Sequence, residues 1–351
     1  MASSEELVDV RPQHRFDEAT LAAHLQRNLP EAFAGRLTVR QFEGGQSNPT
    51  FLLEADESRY VLRKKPPGKL LPMAHMVERE YRVMKALEGS DVPVPRMLLL
   101  EEDESIIGTP FFVMEYVGGR VFADPSFPGV SPQERRALFS EMARVMAALH
   151  AVNYRLRGLE DFGKPGNYFA RQIGRWTKQY DASKTEPVTA MDRLIEWLPS
   201  HVPDDDTTAI AHGDYRSHNI LFHPTEPRVL AVLDWELATL GHPLADIAYN
   251  CIPYHAGPLT QPARDPQSGV PAEEEYVAEY CRFAGRGRIE DWNFYVAFSL
   301  FRLASISQGV YKRGLDGNAA SARALTARDA VVQLAETGWA LAEGQGEVRF
   351  C

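Results

Sequence analysis

His212-Gly213-Asp214-Tyr215-Arg216-Ser217-His218-Asn219-Ile220-Leu221-Phe222, followed by Val229-Leu230-Ala231-Val232-Leu233-Asp234-Trp235-Glu236, carries the most telling residue spacing in the chain. Asp214 and Asn219 lie five residues apart on one loop. Leu221 and Phe222 begin an apolar strand, and after a turn of Pro and Glu (Pro224 to Pro227) a second apolar run delivers Asp234. A loop, a hairpin and a carboxylate at a strand end can bring two carboxylates and one amide oxygen into a single cavity. Hard cations such as Mg²⁺ take oxygen ligands of this kind, usually with substrate phosphates completing the shell.

The pattern His-Gly-Asp-x-x-x-x-Asn, then Ile-Leu-Phe, then Leu-Asp-Trp-Glu resembles the catalytic segment of the aminoglycoside phosphotransferase and choline kinase family, which shares the protein kinase fold. Protein kinases carry H-R-D-x-x-x-x-N and D-F-G at these places. Here Gly213 replaces the Arg, and Asp234-Trp235-Glu236 stands where D-F-G would be. The resemblance implies an α+β, two-lobed, protein-kinase-like fold. A small antiparallel-sheet N-lobe with one main helix would occupy residues 1–116, and a larger, mostly helical C-lobe residues 117–351. It implies Asp214 as the base that orients an acceptor hydroxyl, with Asn219 and Asp234 holding Mg²⁺ against the phosphates of ATP.

Composition sets the outer bounds. A chain of 351 residues suits two domains or one enzyme with two lobes, and its 44% hydrophobic content is that of a globular protein. No apolar run approaches the length of a membrane span, so none is expected. Met1 to Arg15 is polar and acidic and lacks the pattern of a signal peptide. Cys251, Cys281 and Cys351 form no metal or redox spacing, and a cytoplasmic location is expected. A net charge of −10 argues against a nucleic-acid partner and requires any anion site to be locally basic. The P-loop, H-E-x-x-H and G-x-S-x-G motifs are absent. Nothing in the sequence speaks to oligomeric state.

The remaining candidates follow along the chain. Glu43-Gly44-Gly45-Gln46-Ser47-Asn48-Pro49-Thr50 and the apolar residues around it read as strand, glycine turn, strand. Taken alone it is a plain turn; the family resemblance implies that it covers the ATP phosphates, with Gly44, Gly45, Ser47 and Asn48 in contact with the nucleotide. Tyr60-Val61-Leu62-Arg63 reads as the end of a strand. In kinases a strand Lys binds the α/β-phosphates and pairs with a helix Glu. The alignment puts Arg63 at that place. Side chains alternate, so Lys64 points to the other face, and Lys65 remains a substitute. Residues 75–89 form a helix on which Glu80 matches the pairing Glu, with Glu78 as its competitor. An Arg63–Glu80 ion pair is therefore expected.

Glu115-Tyr116-Val117-Gly118-Gly119 reads as the link between lobes, and the resemblance implies the Glu115 carbonyl and the Val117 amide at an adenine edge. Ser131 with Pro132 opens a helix that runs to about His150, itself read as structural. Phe169, Ile173, Trp176 and Tyr180 form one apolar stripe, with Arg171, Arg175 and Lys178 on the opposite face. Those three cations are either a solvated face or an anion-binding face for the acceptor. Asp246, in a G-x-P-x-x-D continuation, reads as a brace for the catalytic loop.

Three strings narrow the resemblance: residues 62–68 (Leu-Arg-Lys-Lys-Pro-Pro-Gly), 171–176 (Arg-Gln-Ile-Gly-Arg-Trp) and 308–313 (Gln-Gly-Val-Tyr-Lys-Arg). They are similar to the kinase-like domain fused to some acyl-CoA dehydrogenases. That implies a hydroxyacyl-CoA as phosphate acceptor and a functional link to an acyl-CoA dehydrogenase, with the chain ending where that domain would end and no flavin domain following. Aminoglycoside, choline or homoserine-type acceptors are the alternatives within the class. Outside it stand an inactive nucleotide-binding module and a flavin-dependent dehydrogenase; the intact Asp214, Asn219, Asp234 set argues against the former.

Overall fold

In the computed structural model the described residues are 7–43, 48–67, 75–317 and 322–344. Gly44, Gly45 and Ser47 of the glycine turn lie outside them. The chain forms two compact units.

The first unit comprises Met1–Ala123, Arg155–Phe162 and Ser217–Ala238. Its centre is a six-stranded antiparallel sheet: β1 (Leu7–Val8), β2 (Leu37–Phe42), β3 (Thr50–Ala55), β4 (Ser58–Lys64), β5 (Met97–Glu101) and β6 (Phe111–Glu115), in the order β1-β2-β3-β4-β6-β5. Helix α1 (Glu18–Asn28) starts where Asp17 accepts hydrogen bonds from the amides of Ala19 and Thr20. Its Leu21 and Leu25 join Phe51, Leu53, Leu62, Phe111 and Val113 in one core. The next residue along β6, Phe112, meets Tyr81 of helix α2 (Val77–Leu87), so the two helices cover opposite faces of the sheet. Val77, Val83, Met84 and Leu87 form the buried stripe of α2, and Glu80 lies in the same stripe.

Strands β8 (Ile220–Phe222) and β9 (Val229–Val232) form the hairpin expected from the sequence. It belongs with the sheet unit because main-chain bonds lace it there. Arg120 N donates to Phe222 O at 2.7 Å, Phe222 N to Arg120 O at 2.8 Å, and Val232 N to Pro93 O at 2.9 Å. Gly119 permits this approach: a Cβ there would stand 2.5 Å from Phe222 O. The expected lobe boundary at 116/117 falls inside this unit, which runs on to Ala123 and takes in the hairpin.

The second unit comprises Asp124–Tyr154, Gly163–Arg216 and Thr239–Cys351 and is mostly helical. Its described helices are α3 (Pro132–Ala151), α4 (Tyr168–Ser183), α5 (Thr189–Trp197), α6 (Pro243–His255), α7 (Glu273–Ala284), α8 (Trp292–Leu315) and α9 (Ala327–Ala342). Strands β7 (Ala209–Ala211) and β10 (Thr239–Gly241) pair antiparallel. Ser131 caps α3, its Oγ accepting from Glu134 N at 3.2 Å. Helix α8 is buried over most of its length and packs against α4, α6 and α9. Among the described residues no helix is long and apolar enough to cross a membrane.

Candidate active site

In the first unit the site is built around Arg63. Strand β4 sets Arg63 opposite Thr50 of β3 and Phe112 of β6. The side chain is 12% exposed, and its guanidinium meets three carboxylates: Glu80 Oε2 at 3.0 Å, Asp234 Oδ1 at 2.7 Å and Glu236 Oε2 at 4.0 Å. The expected Arg63–Glu80 pair is thus present. Lys64 points the other way, 2% exposed, with its ammonium 5.7 Å from the Phe16 ring centre, and burial lowers its pKa. Lys65 binds Glu78 at 2.9 Å, so the competing carboxylate is taken.

One guanidinium among three carboxylates leaves excess negative charge. Glu80 feels it: burial, opposed by Arg63 and reinforced by Asp234 and Glu236, pushes its carboxyl up to about 7. Arg63 is itself buried, which disfavours its charge, yet Glu80, Asp234 and Glu236 more than compensate and raise its pKa. Glu80 Oε1 also accepts from Asn48 Nδ2 at 2.7 Å, and Asn48 Oδ1 faces His75 Nδ1 at 3.1 Å. The side chain of Asn48 is therefore buried against Glu80 as its brace.

The hairpin places Asn219 and Asp234 beside the same end of its ladder. Ile220 pairs with Val232, and Leu233 N donates to Asn219 O at 2.8 Å. Asp234 is the next residue, so the two oxygen-bearing side chains stand at one end of the ladder. Asp234 has φ 63° and ψ 64°, a left-handed conformation uncommon outside glycine. Buried Trp235 anchors the turn, its Nε1 donating to Val232 O at 2.9 Å. Among the described residues no three His, Cys, Asp or Glu side chains cluster as a closed metal site. One carboxylate and one amide oxygen beside an electronegative cluster suit Mg²⁺, which leaves most of its shell to phosphates and water.

In the second unit Asp214 sits on a braced loop. Gly213 has φ 81°, which a side chain would oppose. Buried Asp246 accepts from His212 N at 2.6 Å and from Gly213 N at 2.8 Å, and lies 3.3 Å from His150 Nε2. Burial would raise the Asp246 carboxyl, but His150, His212 and the Gly213 amide hold it below its ordinary value. His150 also contacts Tyr280 OH at 2.7 Å, in keeping with a structural role. Tyr215 OH donates to Met142 O, and Asn250 Nδ2 to Tyr215 O. The Asp214 carboxylate is paired with Arg216 through Nε–Oδ1 at 2.7 Å and Nη2–Oδ2 at 3.0 Å.

Arg216, Arg302 and Glu236 join the expected residues. Arg216 lies in the H-G-D loop, two residues from Asp214. Arg302 lies 89 residues from Gly213 yet donates to its carbonyl at 2.8 Å, with its guanidinium over Tyr249 and Trp176. No local pattern announced it.

Glu115 ends β6, its Oε1 accepting from Arg96 N at 2.9 Å, and Val117 follows outside regular secondary structure. On α4 the stripe Phe169, Ile173, Trp176 and Tyr180 is buried as read. Arg171 donates to Lys164 O; Arg175 and Lys178 are exposed on the far side.

A sheet unit that sets an Arg–Glu pair against the Asp of a hairpin, and a helical unit that braces an H-G-D loop, are the parts of a kinase-type phosphotransferase. The chain belongs to the phosphotransferase enzyme family, whose sequence profile matches residues 38–292. It is 46% identical over 343 residues to acyl-CoA dehydrogenase family member 10 of Mus musculus, covering 96% of this chain but 32% of that protein. The chain therefore spans about a third of that relative's length. A crystal structure from Ralstonia eutropha described as a candidate aminoglycoside phosphotransferase is 52% identical, with a TM-score of 0.85, covering 94% of this chain and 99% of the other. A hygromycin B and ADP complex of an aminoglycoside phosphotransferase variant shares the fold at 15% identity and a TM-score of 0.59.

Proposed function

We propose that the chain transfers the γ-phosphoryl group of ATP to a hydroxyl of a small molecule, with a hydroxyacyl-CoA as the acceptor. The single observation that carries the nucleotide assignment is the Arg63 fork, held between Glu80 and Asp234 at 3.0 and 2.7 Å. A guanidinium so fixed presents its remaining donors to phosphate oxygens in a set geometry. The glycine turn (Gly44, Gly45, Ser47) would cover the phosphates, with Asn48 buried behind it on Glu80 and not in contact with them, and Glu115 and Val117 would meet the adenine through main-chain groups. Asn219 and Asp234 are the residues that would hold Mg²⁺, which supplies charge neutralisation when bound.

Asp214, five residues before Asn219 in the chain, is assigned to the acceptor. Its carboxylate accepts a hydrogen bond from the acceptor hydroxyl and takes the proton as the new O–P bond forms. The bond from the γ-phosphorus to the bridging oxygen breaks, ADP departs, and the proton passes to solvent. General-base help of this kind is worth roughly 10²- to 10⁴-fold.

Two observations favour an anionic or neutral acceptor over an aminoglycoside. Arg216 and Arg302 flank the Asp214 loop, and Arg175 and Lys178 are exposed cations on α4. A polycation would want carboxylates in those places. The kinship with acyl-CoA dehydrogenase family members supports the hydroxyacyl-CoA choice and a functional link to such an enzyme.

The test is ADP release from ATP with hydroxyacyl-CoAs, choline, homoserine and aminoglycosides, for the parent and Asp214→Asn. We expect turnover with hydroxyacyl-CoAs, and a loss of at least about 10²-fold in Asp214→Asn with nucleotide binding largely retained. No release with any acceptor, or equal rates for parent and variant, overturns the reading.

A further inference from the structure

Helix α2 carries Glu80, yet its own start does little to fix it. Its N-cap is Met76, which makes no side-chain capping bond. The helix is instead held from outside on two sides. On the sheet side Lys85 donates to Met97 O at 3.3 Å, and Met97 N donates to Glu88 at 2.6 Å. On the other side three arginines bind main-chain carbonyls. Arg79 Nη2 donates to Phe162 O at 2.6 Å, with the guanidinium 4.2 Å from the Phe162 ring centre. Arg82 donates to Gly158 O at 2.6 Å, and Arg157 to Glu88 O at 3.1 Å.

Arg79 does one thing more. Its Nη2 also reaches Ala238 O at 3.4 Å. Ala238 closes the turn that begins at Asp234, its amide donating to Trp235 O at 3.0 Å. Arg79 is thus joined to the turn that holds Asp234 and Glu236, while its neighbour in sequence, Glu80, is joined to Arg63. Arg63 bridges Glu80 and Asp234, and the width of that bridge depends on where α2 lies relative to the turn.

We propose that Arg79 is a positioning residue of the nucleotide site. By binding Phe162 O and Ala238 O together, it sets the spacing between Glu80 and Asp234 across which the Arg63 fork is stretched. Arg79 touches neither nucleotide nor acceptor in this scheme. A lysine in its place can stack its stem on Phe162 but cannot direct a planar fork at two carbonyls. The proposal rests on the nucleotide assignment made above.

The experiment compares Arg79→Ala, Arg79→Lys and Arg82→Ala with the parent. Arg82→Ala is the control, because it loses partners on the same segment without touching Ala238. The readouts are ATP KM, kcat, the Mg²⁺ concentration for half-maximal rate, and the Tm shift given by Mg²⁺-ADP. We expect Arg79→Ala to raise ATP KM and the Mg²⁺ requirement about tenfold. Arg79→Lys should recover Tm but not KM, and Arg82→Ala should leave KM within about twofold. A merely structural Arg79 would lower Tm without moving the Mg²⁺ requirement. Parent-like KM and Mg²⁺ requirement in Arg79→Ala, or full recovery by Arg79→Lys, overturns the proposal. Should Arg79→Ala fail to fold, the Arg79→Lys arm decides alone. If the parent neither turns over ATP nor gains Tm from Mg²⁺-ADP, the nucleotide assignment itself falls. If the parent gains Tm without turnover, the Tm shift of the variants still tests the positioning.

Discussion

Arg63 and Lys64 are adjacent cations with opposite surroundings, and the contrast yields a test. Arg63 shares three carboxylates, whereas Lys64 is a buried ammonium beside Phe16 with no carboxylate within ion-pair range among the described residues. Removing the first strands Glu80 in a dry site; removing the second relieves a desolvated charge. We expect Arg63→Ala to raise ATP KM at least about tenfold, since a charge-assisted bond to phosphate is worth more than about 1.4 kcal/mol. Lys64→Met should keep KM at the parent value with equal or higher Tm. Steady-state kinetics and thermal melts on the two variants decide it: a normal Arg63→Ala with a crippled Lys64→Met would exchange the roles. Glu78 and Glu80 separate by the same logic, because α2 turns only Glu80 into its buried stripe.

The H-G-D loop shows how an element, rather than a residue, fixes the place of a side chain. Gly213 takes φ 81° so that its amide and that of His212 can both reach Asp246 while its carbonyl receives Arg302. An alanine there would pay the left-handed backbone cost, about 1–2 kcal/mol. The strain would also loosen two buried amide–carboxylate bonds next to Asp214. Gly213→Ala should therefore lower Tm by several degrees and lower kcat by more than the stability loss explains. Parent-like kcat in a folded Gly213→Ala would mean that the loop does not set the position of Asp214. The β8–β9 hairpin is a second such element: Ile220 pairs with Val232 next to Asn219, and main-chain bonds to Arg120 and Pro93 fix the hairpin in place.

At the scale of the whole molecule, acid stability gives a reading of tertiary electrostatics. Asp205 is joined to Arg286 at 3.2 Å and to His242 at 3.4 Å, and accepts from Thr207 N and Oγ1. Burial would raise its pKa, but these partners bring it from 3.8 down to about 2. The group binds fewer protons folded than unfolded, so its contribution is complete above about 4 and is lost as pH falls towards about 2. With the carboxylate about a third exposed, screening reduces the contribution to about 1 kcal/mol. Urea unfolding at pH 6 and pH 3 should give a smaller stability difference for Asp205→Asn than for the parent. An unchanged difference would remove Asp205 from the acid response.

Features with a local cause were legible in the residues alone. Alternation along a strand separated Arg63 from Lys64, helical spacing marked the buried stripe of α4, and two short apolar runs around a turn marked the β8–β9 hairpin. Each depends on a period of two or of 3.6 residues, which a short window reveals. Which distant groups complete those elements follows from the packing of the folded chain. Asn48 turns to Glu80, Arg302 reaches Gly213, Arg79 joins Phe162 to Ala238, and Asp205 finds Arg286. The two partners in these contacts lie tens to more than a hundred residues apart. The chain brings them together because buried carbonyls and carboxylates must be satisfied wherever the packing leaves them, and no periodicity records that demand.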